Sequence, residues 1–190
     1  MPFEFRNHDE IPDLVIVRPR TLDDGRGWFR ETYKRGDFER HGIAVDFVQD
    51  NHSCSTARGV LRGLHYQLHP MAQGKLIRCS AGSIWDVAVD IRRGSPTYRK
   101  WMGTELSAEN GDMLWIPEGF AHGYCTLTDV AEVLYKTTAE YSPAHERAIR
   151  WNDSALAIRW PVEDPSLSPK DAAASPLSGV ENNFVWRGAP

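Results

Sequence analysis

Between Ser83 and Arg92 the side chains alternate, with Trp85, Val87, Val89 and Ile91 interleaved with Asp86, Ala88 and Asp90. A period of two sets neighbouring side chains on opposite faces of an extended backbone and fits no helix. The segment is therefore a strand, and a strand is stable only beside others. Partners are plentiful. Asp13–Arg20, Trp28–Lys34, Phe47–Ser53, Val60–Gln67, Lys75–Ser80, Trp101–Leu106, Met113–Ile116, Gly123–Leu127 and Glu132–Tyr141 are all rich in β-branched and aromatic residues, and Gly, Pro and Asp separate them. Only Asp37–His41, the region after Tyr141 and the stretch near Pro169–Ala174 have helical character, and each is short. Many closely spaced strands with Gly-rich turns and no internal repeat predict an all-β sandwich or barrel.

The chain has 190 residues, which is enough for one domain with a real core and no disulfide staples. Residues 1–190 are read as one domain, with 161–190 as a C-terminal arm and tail. That arm begins where the composition turns rich in Pro, Ser and Ala after Trp160. Phe184, Val185 and Trp186 in the tail predict that it docks on a neighbouring surface. A net charge of −4 argues against nucleic acid or an anionic membrane surface as partner. No apolar run approaches a membrane span, and the acidic start MPFEFRNHDEIPDL does not predict a secretory signal. Cys54, Cys79 and Cys125 have no metal-type spacing, so free thiols in a reducing cytoplasm are expected.

Two segments carry chemistry. One runs from Gly59 through His65 and Gln67 to Lys75 and Gly82. The other runs from Gly111 through Pro117, Glu118, Gly119 and His122 to Thr126. Their spacing resembles the two signature motifs of the cupin superfamily, a jelly-roll barrel that often binds a metal through three His and a Glu. His65 and His122 fall at two of those places, but Gln67 and Lys75 stand where the other His and the Glu belong. A protonated amine has no lone pair and repels a cation, so no metal is expected.

Further strings narrow the resemblance: QDNHS, GVLRGLHYQ, AQGKLIRC, DVAVDIRRGSPTY, LWIPEGFAHGY, EVLYKTT, WND and KDAAA. In order, from about Asp13 to Ala174, they resemble the dTDP-4-dehydrorhamnose 3,5-epimerases. The resemblance implies an isomerase, needing no cofactor, that epimerises a nucleotide-linked 4-keto-6-deoxyhexose at both carbons flanking the ketone. It also implies a homodimer with N-terminal strands paired across chains.

That reaction needs a base, a group to stabilise an enolate, and an acid on the opposite face. His65 suits the base, since an imidazole is mostly neutral at cytoplasmic pH. Its strand neighbours Gly63 and Gln67 would leave room for a small ligand. Lys75 shares strand parity with Ile77 and Cys79, and a barrel-lining ammonium calls for an anion such as an enolate oxygen. The family resemblance implies Tyr135 as the acid and Asp171 as the carboxylate that orients His65. His122 and Asp86 would complete the polar lining. Arg62 and Arg26 are candidates for the diphosphate, as guanidinium forks. The resemblance adds Phe29, Glu31, Gln49, Asn51 and Tyr141 as contacts to nucleotide and sugar. Glu140 stands where an aromatic stacked on the base is expected, while Arg92, Arg93 and Lys100 read as solvated surface charges. Three rival functions remain open: a single-centre epimerase of a modified-sugar pathway, a metal-dependent cupin enzyme, and a non-catalytic sugar-binding cupin.

Overall fold

The computed structural model describes residues 2–188. The N-terminal part contains β1 (Phe3–Asn7), β2 (Val15–Pro19), β3 (Thr21–Asp23), β4 (Trp28–Arg30) and helix α1 (Arg35–Glu39). The central part contains β5 (Gln49–Ser55), β6 (Leu61–Gln67), β7 (Lys75–Ala81), β8 (Ser83–Asp90) and β9 (Trp101–Ser107). It continues with β10 (Met113–Ile116), β11 (Phe120–Thr126), β12 (Ala131–Thr137) and β13 (Glu146–Ala148). A short helix α2 (Pro169–Ala172) and a 3-10 turn (Leu177–Gly179) follow.

One sheet has the order β1-β2-β10-β7-β12-β5, the other β13-β6-β11-β8-β9, and β3 and β4 form a separate ribbon. Strands β5 to β12 fill the two sheets as β5-β12-β7-β10 against β6-β11-β8-β9, the connectivity of a jelly roll. The all-β, cupin-like reading therefore holds. Each expected strand has a counterpart, with ends displaced by a few residues. Strands β1, β3 and β13 were not expected; each is short and lies at a sheet edge or outside the sheets. The region after Tyr141 is not helical. It turns at Ser142–His145 and then pairs as β13 with β6, because Glu146, Arg147 and Ala148 supply the ladder that closes the edge beside His65.

Apolar side chains fall into three layers. Ile16, Ile77, Cys79, Ile84, Ala88, Leu106, Leu114, Phe120 and Val133 fill the space between the sheets. On the outer face of the second sheet, Leu64, Tyr66, Val87, Val89 and Ile91 pack beneath Ile149, Leu156, Leu177 and Phe184. A third cluster around Phe3, Val17, Phe38 and Trp115 covers the first sheet. The alternation in β8 thus takes an unexpected sense. Its most apolar face, Val87 and Val89, lies under the C-terminal arm, whereas Asp86 and Ala88 point between the sheets. Both faces of β8 are buried, and each aliphatic side chain so removed from water contributes roughly 1.5–3 kcal/mol.

The tail docks on its own chain. Arg93 N–H donates to Phe184 O at 3.1 Å, and Trp186 N–H donates to Arg93 O at 2.9 Å. Phe184 is buried, while Val185 remains exposed. Arg92 is not a solvated charge. Its guanidinium binds Asp90 and Asp13 and lies over both the Phe120 and Trp186 rings, so it joins tail to barrel.

Gly63 has φ +125°, and a Cβ there would stand 2.5 Å from Gly123 Cα and 2.7 Å from His122 O. The glycine is needed because β11 approaches β6 closely, rather than to leave room for a ligand. Pairing shifts register here, with Tyr124 opposite Arg62 and His122 opposite His65. This irregularity lets Arg62 and His65, three residues apart, line one cleft. Gly63→Ala should lower stability by about 2 kcal/mol or more and Tm by about 4–8 °C. A thermal melt within about 1 °C of the parent protein would contradict this account of Gly63.

Candidate active site

Burial pattern and strand parity bring polar side chains together in one apolar interior. A cleft of about 420 Å³ is lined by Ser53, Arg62, His65, Lys75, His122, Tyr124 and Tyr135 from the barrel and by Ser168, Lys170 and Asp171 from the arm. An adjoining recess of about 130 Å³ shares His65, Lys75 and Tyr135 and adds Gln49, Asn51, Tyr141 and Glu146. The main cleft alone is within the usual size range of small-molecule sites.

His65 lies on β6 with its backbone paired on both sides, opposite His122 of β11 and Ala148 of β13. Its Nε2 is 2.6 Å from Asp171 Oδ1. Asp171 is buried and reaches His65 from α2 across 106 residues of sequence. Burial alone would push its carboxyl pKa up. Hydrogen bonding and charge from His65, with the hydroxyl of Ser168, outweigh burial and hold it below the usual carboxylate value. An ionised Asp171 can only accept, so His65 Nε2 carries the hydrogen and Nδ1 keeps the free lone pair.

Lys75 is 7% exposed and lies on β7 in the facing sheet. Among the described residues it makes no ion pair, and its ammonium donates only a long bond of 3.5 Å to His65 O. Burial pulls its pKa down to about 8, against the opposing attraction of Asp86 and Glu146. The second histidine, His122, holds Asp86 Oδ2 at 2.9 Å, and the other carboxylate oxygen of Asp86 has no partner. Tyr135 projects from β12, paired with β7 through Ile77. Burial raises its phenol pKa, partly offset by Arg62.

The structure thus brings together His65, Lys75, Tyr135, Asp171, Arg62, Asp86 and His122. Gln49 and Asn51 border the smaller recess, bonded to each other at 2.8 Å. Tyr141 stands there too, with its ring exposed and its hydroxyl 2.8 Å from Glu146. An aromatic therefore is available at the cleft, at Tyr141 rather than at Glu140. Gln67 is spent on structure: its amide donates to Met71 O and Glu140 O and accepts from Ser142 N–H.

Three expected contacts are not at the cleft. Arg26, Phe29 and Glu31 belong to the β3–β4 ribbon or its end and border separate surface depressions. Arg26 pairs there with Asp24. Both strands are three residues long and pair with each other rather than with either sheet, and the Arg30 guanidinium packs against Gly111, away from the cleft.

Sequence reasoning missed Ser53, Tyr124, Glu146, Ser168 and Lys170. Tyr124 shares strand parity with His122, and its hydroxyl lies 2.9 Å from Ser53 Oγ. Glu146 was hidden in a stretch read as helical, where it now pairs with Lys170. Among the described residues, no group of three or more His, Cys, Asp and Glu could hold a metal.

Known proteins resemble this chain over most of its length. The family model for dTDP-4-dehydrorhamnose 3,5-epimerase matches residues 8–179. The dTDP-4-dehydrorhamnose 3,5-epimerase of Shigella flexneri is 58% identical over 85% of this chain and 90% of its own. The crystal structure of the Legionella pneumophila dTDP-6-deoxy-D-glucose-3,5-epimerase, in complex with dTDP-4-keto-L-rhamnose, superposes with TM-score 0.90 at 46% identity. It covers 94% of this chain and 95% of its own. A 3'-monoepimerase from Streptomyces bikiniensis, in complex with dTDP-quinovose, is also similar, with TM-score 0.84 and 32% identity over 91% of this chain and 88% of its own. A jelly roll that buries a lysine between a His–Asp pair and a tyrosine, matched by that family model almost from end to end, belongs to the dTDP-4-dehydrorhamnose 3,5-epimerase family.

Proposed function

We propose that this protein epimerises a dTDP-linked 4-keto-6-deoxyhexose at C3 and C5, with no metal or cofactor. The observation that carries the reading is the division of labour between sheets. His65 stands on the second sheet, and Lys75 and Tyr135 stand on adjacent strands of the first. A sugar held between the sheets would offer one ring face to the imidazole and the other to the phenol.

The ketone acidifies the C–H bonds beside it. Nδ1 of His65 takes the proton, the electron pair moves into the C–C bond, and the ketone oxygen becomes an enolate. The Asp171 carboxylate stabilises the imidazolium that forms. The ammonium of Lys75, poorly solvated and without an ion pair of its own, binds the enolate oxygen. His122, its Nε2 held by Asp86, lines the same cleft. Tyr135 then returns a proton to the same carbon from the opposite face, inverting it; Tyr135 is reprotonated from solvent and the His65 imidazolium releases its proton to solvent, which restores both groups. A second round at the other flanking carbon completes the double epimerisation. Arg62 is assigned to the diphosphate, and Tyr141, Gln49 and Asn51 to the nucleotide and sugar. Lys75 and the bonded amide of Gln67, at positions where cupin metal ligands are expected, support chemistry without a metal.

The exposed ribbon supports a homodimer. Leu22, Trp28 and Phe29 are 50%, 63% and 64% exposed, an apolar surface that invites a partner. Docked against a second chain, the ribbon would bring Arg26, Phe29 and Glu31 to a cleft that their own chain does not reach. Light scattering should give twice the chain mass; a mass near one chain would remove this part of the reading. Free Cys54, Cys79 and Cys125 fit a reducing cytoplasm.

In heavy water with dTDP-4-keto-6-deoxyglucose, NMR should show deuterium entering at C3 and C5. His65→Ala should reduce the exchange by about 10²- to 10⁴-fold. Label at one carbon only would make the protein a single-centre epimerase, as the Streptomyces bikiniensis relative is described. No label at either carbon would overturn the reading.

The pH dependence follows from Lys75. Its folded pKa of about 8 means that the ammonium is lost as pH rises through that value. kcat/KM, which reports the free enzyme, should therefore fall on an alkaline limb near pH 8. Tyr135 does not produce this limb, because burial moves its pKa above the ordinary phenol value of 10.0. A profile flat to about pH 10 would contradict the role of Lys75.

A further inference from the structure

We propose that Ser168 is a positioning residue of the reaction, aiming the Asp171 carboxylate at His65. The inference rests on the epimerase reading above and extends it by one residue.

Ser168 sits at the N-cap of α2. Its Oγ accepts from Asp171 N–H at 3.1 Å and lies 2.9 Å from Asp171 Oδ2. The directions of both bonds are fixed by chemistry. An amide can only donate, and an ionised carboxylate can only accept, so the single hydroxyl hydrogen goes to Oδ2. That leaves Oδ1 for His65 Nε2 at 2.6 Å. The two oxygens of Asp171 are thereby held by two donors from different parts of the chain, and the plane of the carboxylate is set.

The hydroxyl is itself held in place. Ser166 forms a parallel bridge with Val60, with Leu61 N–H donating to Ser166 O at 3.0 Å and Ser166 N–H to Gly59 O at 2.9 Å. Two residues beyond Ser168, Lys170 pairs with Glu146 of β13. The arm is thus tied to β6, the strand that carries His65, and to β13 beside it. Between these ties it is Ser168 that hydrogen-bonds the side chain of Asp171. Without its hydroxyl, Oδ2 would lose its donor in a buried setting, and the carboxylate could rotate about its last torsion. The imidazole would lose orientation, and a small misplacement of a catalytic base is costly.

A cap alone would do something different. Serine at an N-cap stabilises a helix, and glycine caps almost as well. Ser168→Gly therefore removes the hydroxyl while sparing the helix start, and Ser168→Thr restores it. Both variants are compared with the parent protein and with Asp171→Asn in the heavy-water exchange assay and in steady-state turnover. The low-field proton NMR signal of the hydrogen-bonded imidazole N–H of His65 gives a readout that needs no substrate.

Ser168→Gly should lower kcat about 10- to 100-fold with KM within about two-fold. It should also shift or broaden the imidazole signal, and Ser168→Thr should recover both. The proposal is overturned if Ser168→Gly keeps kcat within about two-fold of the parent, if it raises KM alone, or if the imidazole signal is unchanged. In those cases, loss of activity in Asp171→Asn leaves the epimerase reading standing. Absence of exchange in the parent protein would instead remove the reading on which the proposal rests.

Discussion

An ammonium buried between two sheets, with no counter-ion in contact among the described residues, is the constraint around which this barrel is arranged. Charge taken out of water costs several kcal/mol unless it is compensated, and burial has drawn the pKa of Lys75 down to about 8. Two carboxylates limit the cost from a distance. Asp86 is bonded to His122, and Glu146 borders the adjoining recess. Neither binds the ammonium directly, so its hydrogens remain available. A site with an unspent positive charge and few polar contacts of its own favours a ligand that becomes negative during reaction over one that is negative throughout. This is the arrangement that enolate chemistry requires.

The second sheet is built so that the base can be held from behind. Its outer face is apolar, and the C-terminal arm covers it with Leu156, Leu177 and Phe184. Covering that face brings the arm across the barrel end, where Asp171 meets His65. Packing and catalysis are therefore linked: the hydrophobic seat of the arm supplies the free energy that orders a buried carboxylate. Arg92, lying between Phe120 and Trp186 while bound to Asp90, fastens the last part of the arm to the same sheet.

Much of this was legible in the sequence. The alternation of Ser83–Arg92, and short strand-like runs divided by Gly and Pro, gave the fold class. The parity of Lys75 with Ile77 and Cys79 put it indoors. The cupin-like spacing placed His65 and His122 together, and they are register partners. What the pattern did not reveal was which face of β8 looks inward, because a strand buried on both sides carries apolar residues on both. It did not reveal the bulge at Gly63, since alternation alone sends Arg62 to the face opposite His65. β13 was read as helical because three residues are too few to carry a period. Arg92 read as solvated because its partners Asp13, Phe120 and Trp186 are distant in sequence. The link between Asp171 and His65 could come only from family resemblance, since no local rule spans 106 residues.

In the proposed reaction, stereochemical demand accounts for reacting groups on two sheets rather than one. Inversion requires the proton to leave one face of a trigonal carbon and return on the other. A base and an acid on a single sheet would project from the same side. A jelly roll offers two facing sheets about 10 Å apart, close to the span of a sugar ring with a hydrogen-bonding group above and below. His65 is fixed from one sheet by paired strands on either side and by Asp171 behind it. Tyr135 is fixed from the other by pairing with Asn51 and Ile77. On the proposed reading neither residue need move between proton removal and proton return, which leaves the motion to the sugar. On that reading the same pair serves both carbons if the ring reorients, with the ketone oxygen, bound by Lys75, as the pivot for that turn.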